Sequence, residues 1–344
     1  MNIDNTERQR FIEKQIFNIH SNAEFEALAL EIFRYQFENN KVYNTYIKAL
    51  GKDVSRVSKL TEIPFLPIRF FKSHKVVCGD GGSFDAVFKS STTTGSIPSQ
   101  HFVKDVELYK KSFRKGFADF YGDVRQYCIL ALLPSYLEKG DSSLVYMVND
   151  LIKDSHNPDS GFYMHNYLEL ADKLRENEAS GQKTFLIGVT YALLRLAEEF
   201  PMVLKNTIVM ETGGMKGRRE ELTRPEVHKI LQDAFKLDQI HSEYGMTELL
   251  SQAYSKGNGL FQCVPWMWVL VRDVYDPFEI VESRKGKGQS AKGAINIIDL
   301  ANINSCSFIA TDDLGVLYPN NEFEVAGRLD SSDLRGCNIM ASNL

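Results

Sequence analysis

The spacing of apolar residues changes character twice along the chain. Through residues 7–50 it is helical, with Leu28, Ile32, Phe33 and Tyr35 on one face. Pro64 and Pro67 then punctuate the chain before an extended stretch at residues 68–71. Residues 85–89 read as a strand. A hydroxyl-rich run follows, after which Val106, Tyr109, Phe113, Phe117 and Phe120 return at helical spacing. Short apolar runs at 127–133, 185–189 and 207–210 are separated by amphipathic segments such as 192–200 and 219–235. Strand and helix in alternation predict a wound α/β sheet. From Val264 onward the pattern is β, with extended candidates at 267–271, 294–298, 307–310 and 322–325. The Lys/Arg/Gly-rich stretch 284–293 reads as a solvated loop. The expected fold class is α/β, with wound sheets and a smaller β-rich C-terminal subdomain. The expected organisation is a helical cap at 1–75, an α/β core at 76–262 and the β-rich subdomain at 263–344. There is no internal repeat.

Composition narrows the function without naming it. Of 344 residues, 43% are hydrophobic and 25% charged, which describes a folded globular chain. A net charge of −5 offers no electrostatic footprint for nucleic acid. The N-terminus MNIDNTERQR lacks the basic-then-apolar profile of a secretory signal. No apolar run reaches the ~18 residues of a membrane span, so a cytoplasmic protein is expected. The five cysteines, Cys78, Cys128, Cys263, Cys306 and Cys337, are scattered without a C-x-x-C pair and are expected to be free thiols.

Four segments could carry chemistry. Ser90-Ser91-Thr92-Thr93-Thr94-Gly95 supplies hydroxyl and backbone donors for phosphate, although a plain surface loop has the same composition. In Ser242-Glu243-Tyr244-Gly245-Met246-Thr247-Glu248, Tyr244 offers a ring for a base, Gly245 a tight turn, Thr247 a phosphate-facing hydroxyl and Glu248 a hard oxygen for Mg2+. The alternative for this stretch is a strand-to-helix turn with an exposed acid. Asp313 could accept from ribose hydroxyls, and Arg328 could neutralise phosphate charge. Thr212-Gly213-Gly214 could form a backbone wall for adenine, or a simple turn. His241 could polarise a carboxylate, or serve as a structural histidine at a strand end.

The order of these segments resembles the adenylate-forming superfamily of acyl-CoA synthetases and luciferases. Ile63-Pro64-Phe65-Leu66-Pro67, Gly245-Met246-Thr247-Glu248-Leu249-Leu250-Ser251-Gln252, Ile297-Ile298-Asp299-Leu300-Ala301-Asn302 and Arg335-Gly336-Cys337-Asn338 resemble the LuxE acyl-protein synthetase family over essentially the whole chain. That resemblance implies the N-terminal-type fold of adenylate-forming enzymes. It implies ATP and Mg2+ as cofactors and a fatty acid or other small carboxylic acid as substrate. It also implies an acyl-adenylate intermediate and acyl transfer to a cysteine, for which Cys337 is the matching position. By position it assigns the phosphate loop to Ser91, Thr92, Thr93, Thr94 and Gly95. It assigns the nucleotide segment to Tyr244, Gly245, Thr247 and Glu248, the ribose acid to Asp313 and the arginine to Arg328. An acyl-acceptor partner such as a reductase or carrier protein is also implied. Two departures stand out. The superfamily has Gly where Thr92 stands and a lysine at the end of the loop, and its C-terminal domain of ~100 residues is not expected here, so a complete CoA ligase cycle is not expected either. Transfer to CoA or a carrier in saccharide or lipid synthesis, and a catalytically lapsed binding subunit, remain the competing expectations.

Overall fold

The structure, a computed structural model, describes residues 5–79, 82–91, 97–133, 141–213, 222–282 and 289–329. Strand β1 (Leu66–Pro67) precedes a hairpin of β2 (Ala86–Lys89) and β3 (Gln100–Val103). Seven strands then build the first sheet: β4 (Cys128–Leu132), β5 (Gly161–Phe162), β6 (Thr184–Gly188), β7 (Thr207–Thr212), β8 (His241–Tyr244), β9 (Ala253–Ser255) and β10 (Gln262–Cys263). Its order is β10-β9-β8-β7-β6-β4-β5, with β5, β4, β6, β7 and β8 parallel and β9 and β10 antiparallel. Helices Ser143–Ser155, Tyr167–Ser180, Thr190–Glu199 and Arg224–Phe235 make the crossovers. β4 and β6 are buried at every position, which is why they read as unbroken apolar runs rather than alternating ones.

The exit of β4 leads to β5 on one side, whereas the exit of β6 leads to β7 on the other. Open α/β sheets bind ligands beyond the carboxyl ends of strands near such a reversal. The carboxyl ends of β7 and β8 carry Glu211-Thr212 and Glu243-Tyr244, each followed by a glycine, Gly213 and Gly245.

The second sheet contains β11 (Met267–Arg272), β12 (Ile280–Val281), β13 (Ala291–Asp299), β14 (Phe308–Leu317) and β15 (Phe323–Arg328), in the order β1-β14-β13-β11-β12 with β15 also on β14. β13 pairs along one edge of β14. On the other edge β1 takes Ile309 and Ala310, and β15 takes the stretch from Asp313 to Leu317. Asp313 thus lies where β1 has ended and β15 has begun. Part of the stretch expected to be a loop is corrected here, since residues 291–293 belong to β13.

The three N-terminal helices, Asn5–Ile16, Asn22–Asn39 and Lys41–Ala49, cover this second sheet. Ser21 caps the second by accepting from the Glu24 amide, and Asn40 caps the third through Tyr43. Their apolar face packs Phe25 against Trp268 and Phe33 against Phe308. Buried Gln36 donates through Nε2 to the carbonyls of Asn302 and Ile303, both at 3.0 Å. A buried amide with several good partners fixes register as well as burial.

Candidate active site

The two sheets meet at a hydrogen-bonded triad. Tyr244, at the end of β8, donates its hydroxyl to Asp313 Oδ2 at 2.7 Å, and Arg328 Nε donates to Asp313 Oδ1 at 3.1 Å. Pairing of β14 with β15 sets Asp313 directly opposite Arg328. The Tyr244 ring is buried against Phe261 and Phe323, and Asp313 is buried with it, while Arg328 reaches into solvent with 73% of its side chain exposed. Burial raises the Tyr244 hydroxyl well above its ordinary pKa, so it remains a donor.

The chain next turns through Gly245. A Cβ there would run into Glu243 Oε1, so the missing side chain is what admits the buried Glu243 carboxyl. Thr212 Oγ1 donates to Glu243 Oε2 at 2.7 Å. Burial pushes this carboxyl up to about 7, Thr212 opposes the shift, and the neighbouring Glu211 adds to it. Glu211 is held by Arg224 Nε at 3.1 Å and by the Thr190 hydroxyl at 3.1 Å. Gly213, in the left-handed region at φ 68°, gives its carbonyl to Thr190 Oγ1 at 2.7 Å.

Thr247 and Glu248 follow. Glu248 is 5% exposed, which sets aside the exposed-acid alternative. Burial raises its pKa, while a hydrogen bond from Ser99 and the charges of Arg328 and Lys72 favour the anion. Ser99 also closes the base of the hydroxyl-rich loop: its carbonyl accepts from the Ser90 amide at 3.1 Å and its amide donates to Ser90 Oγ at 2.9 Å. Ser91 lies exposed at the start of that loop. Thr92, Thr93, Thr94, Gly95, Gly214 and Cys337 are outside the described residues.

Three residues that sequence reasoning gave no role hold this segment in place. His101 Nδ1 lies 2.9 Å from the Thr247 carbonyl, and burial lowers the imidazole to about 4, so it donates there as a neutral ring. Asn302 Nδ2 donates to the Glu248 carbonyl at 2.7 Å. Asp299, buried and pushed up to about 6, accepts from the amides of Leu250 at 2.7 Å and Ser251 at 3.0 Å. For the last two the signal in the sequence is a pair of polar residues, Asn302 and Asp299, set in the apolar run from Ile297 to Ile303. His241, by contrast, lies at the opposite end of β8 from Tyr244, 3.3 Å from the Tyr121 hydroxyl, with its pKa lowered to about 4 by burial and by Lys256.

A family model described as "Acyl-protein synthetase, LuxE" matches residues 20–344. The chain belongs to the LuxE acyl-protein synthetase family. It is an enzyme, an ATP-dependent ligase of the acyl-activating type. Similar curated LuxE relatives are the long-chain-fatty-acid--luciferin-component ligases of Aliivibrio fischeri and Vibrio harveyi. The first is 21% identical, covering 92% of this chain and 87% of the relative. The second is 22% identical, covering 90% and 85%. Among solved structures, the ATP-bound RpMatB-BxBclM chimera B1 superposes with a TM-score of 0.54 at 14% identity, covering 73% of this chain and 49% of the other. The fatty acid AMP ligase from Legionella pneumophila gives 0.51 at 14%, covering 74% and 52%. This LuxE chain spans about half the length of those two structures, which share its fold.

Two sets of residues bear on what such a ligase handles. Among the described residues no group of three or more His, Cys, Asp or Glu could hold a metal ion by itself. Mg2+ typically takes one or two carboxylates and completes its shell with water and substrate phosphates, so a single buried carboxylate such as Glu248 suits it. The four described cysteines are poor nucleophiles. Cys78, Cys128 and Cys306 are buried and Cys263 is half-buried, and burial raises all four thiols, Cys263 and Cys306 to about 12.

Proposed function

We propose that this chain condenses a fatty acid with Mg·ATP to an acyl-adenylate and then transfers the acyl group to Cys337. The observation that carries the reading is the convergence of Tyr244, Asp313 and Arg328 with Thr247 and Glu248 at the carboxyl ends of β7 and β8. Asp313 and Tyr244 face the ribose and base, while Thr247 and the loop containing Ser91, Thr92, Thr93, Thr94 and Gly95 face the phosphates. Gly213 and Gly214 flank the nucleotide. Glu248 would hold Mg2+, which screens phosphate charge when bound. A substrate carboxylate oxygen attacks the α-phosphorus as the bond to pyrophosphate breaks. Arg328, exposed and aimed by Asp313, neutralises charge that develops on the phosphate. The cysteine thiolate then attacks the acyl carbon, the bond to AMP breaks, and a thioester remains.

The identity of the acid rests on the names of the relatives. Between helices Val106–Tyr121 and Ser143–Ser155 and the first sheet, the apolar cavity lined by Phe117, Met147, Phe185 and Tyr254 offers about 10 Å3. That is room for about one water, so a long acyl tail in this space requires side chains to move. The larger groove, about 580 Å3, lies between Phe25, Trp268 and Glu322 and contains none of the site residues.

Intact-protein mass spectrometry after incubation with Mg·ATP and acids of graded length tests the proposal. A hydroxylamine-labile acyl adduct is expected on the wild type and not on Cys337→Ser. Acyl-AMP without an adduct would assign the acceptor to another molecule, such as a reductase or carrier protein.

A further inference from the structure

The hydroxyl-rich stretch assigned to the phosphates in the proposed site has no cation of its own: residues 90–99 contain neither Lys nor Arg. Lys89, just before it, is 2.6 Å from Asp141 in an ion pair. A triphosphate keeps net negative charge after one divalent ion has bound, and a site that binds it needs charge-assisted donors.

We infer that Lys72, on the single-turn helix Phe70–Ser73, supplies that missing cation to the terminal phosphates of ATP. The inference rests on the proposed nucleotide site. Two contacts place its helix there. The Ile68 amide donates to the Ala310 carbonyl at 2.9 Å, so the helix leaves β1 beside β14, at the edge position where Asp313 and β15 begin. The Phe71 ring meets His101 edge-on at 5.8 Å, and His101 in turn holds the Thr247 carbonyl. Lys72 is exposed, and no described residue forms an ion pair or hydrogen bond with its ammonium. The cation is therefore free to move onto a ligand. Its flexible stem suits a point contact with phosphate oxygens, whereas the planar Arg328 guanidinium is tied to Asp313.

The test compares ATP with AMP, because only the former carries the phosphates Lys72 would touch. Binding of Mg·ATP and of AMP to the full chain is measured by calorimetry for wild type, Lys72→Gln and Lys72→Arg, with thermal melts alongside. The expected result is a loss of about tenfold or more in ATP affinity for Lys72→Gln, unchanged AMP affinity, recovery in Lys72→Arg and an unaltered melt, since the side chain is exposed. Wild-type affinity for ATP in Lys72→Gln, or equal weakening of ATP and AMP, overturns the role of Lys72 while leaving the nucleotide site standing. A wild type that binds neither nucleotide overturns the site itself and this inference with it.

Discussion

Replacing Gly245 by alanine tests whether the turn after β8 is shaped by the Glu243 carboxyl. The new Cβ would lie on Glu243 Oε1, closer than such atoms approach in folded proteins, whereas the next neighbour, Gln252 Cγ, is at an ordinary 3.5 Å. Glu243 must then rotate and give up its 2.7 Å bond from Thr212, leaving a buried hydroxyl and a buried carboxyl to find other partners. That costs about 1–3 kcal/mol. In a Glu243→Ala background the obstacle is gone, and the same Gly245→Ala change should cost no more than about 0.5 kcal/mol. Urea unfolding of the wild type, both single variants and the double variant closes the cycle, with an expected coupling of about 1–2 kcal/mol. If Gly245→Ala costs the same with and without the Glu243 carboxyl, the steric argument is wrong.

Glu243 also makes stability depend on pH. Its folded pKa near 7 lies above the ordinary 4.5, so the folded protein holds this proton more tightly. The contribution is complete below about 4.5 and is lost as pH rises through 7. Relative to Glu243→Gln, the wild type should therefore lose about 2–3 kcal/mol of unfolding free energy between pH 5 and pH 8; parallel pH profiles would contradict the assignment. Tyr244→Phe removes the buried donor to Asp313 and should cost about 1–3 kcal/mol by urea titration. Arg328→Gln, at an exposed position, should cost less than about 1 kcal/mol, and equal losses would show that the buried hydroxyl contributes nothing special.

Elements with a strong periodic signal were legible in the sequence. The apolar runs at 127–133 and 185–189 became β4 and β6, and Val106, Tyr109, Phe113 and Phe117 lie on one buried or partly buried helix face. Short or polar strands were not. β8 reads His-Ser-Glu-Tyr and carries no apolar pattern; it is extended because β7 and β9 flank it and because Thr212, His228 and Asp313 satisfy its polar side chains. β1, two residues long, cannot display a period at all. At the site, motif order named Tyr244, Asp313 and Arg328, and the fold puts them in contact across 69 and 15 residues of chain. The supporting residues stayed silent, because a histidine in β3 that holds a carbonyl 146 residues away has no local signature.

The way the chain's first helices complete its last sheet has a kinetic consequence. Gln36 waits for Ser307, 271 residues later, and β1 waits for Ile309. At about 5–20 residues per second of synthesis, the apolar faces bearing Phe25, Ile32 and Phe33 emerge roughly 15–50 s before their partners exist. High contact order slows folding and lengthens exposure to aggregation. A nascent chain of this protein should therefore be a client for chaperones at its N-terminal helices, and a fragment ending before β14 should leave that face permanently uncovered rather than yield a smaller working enzyme.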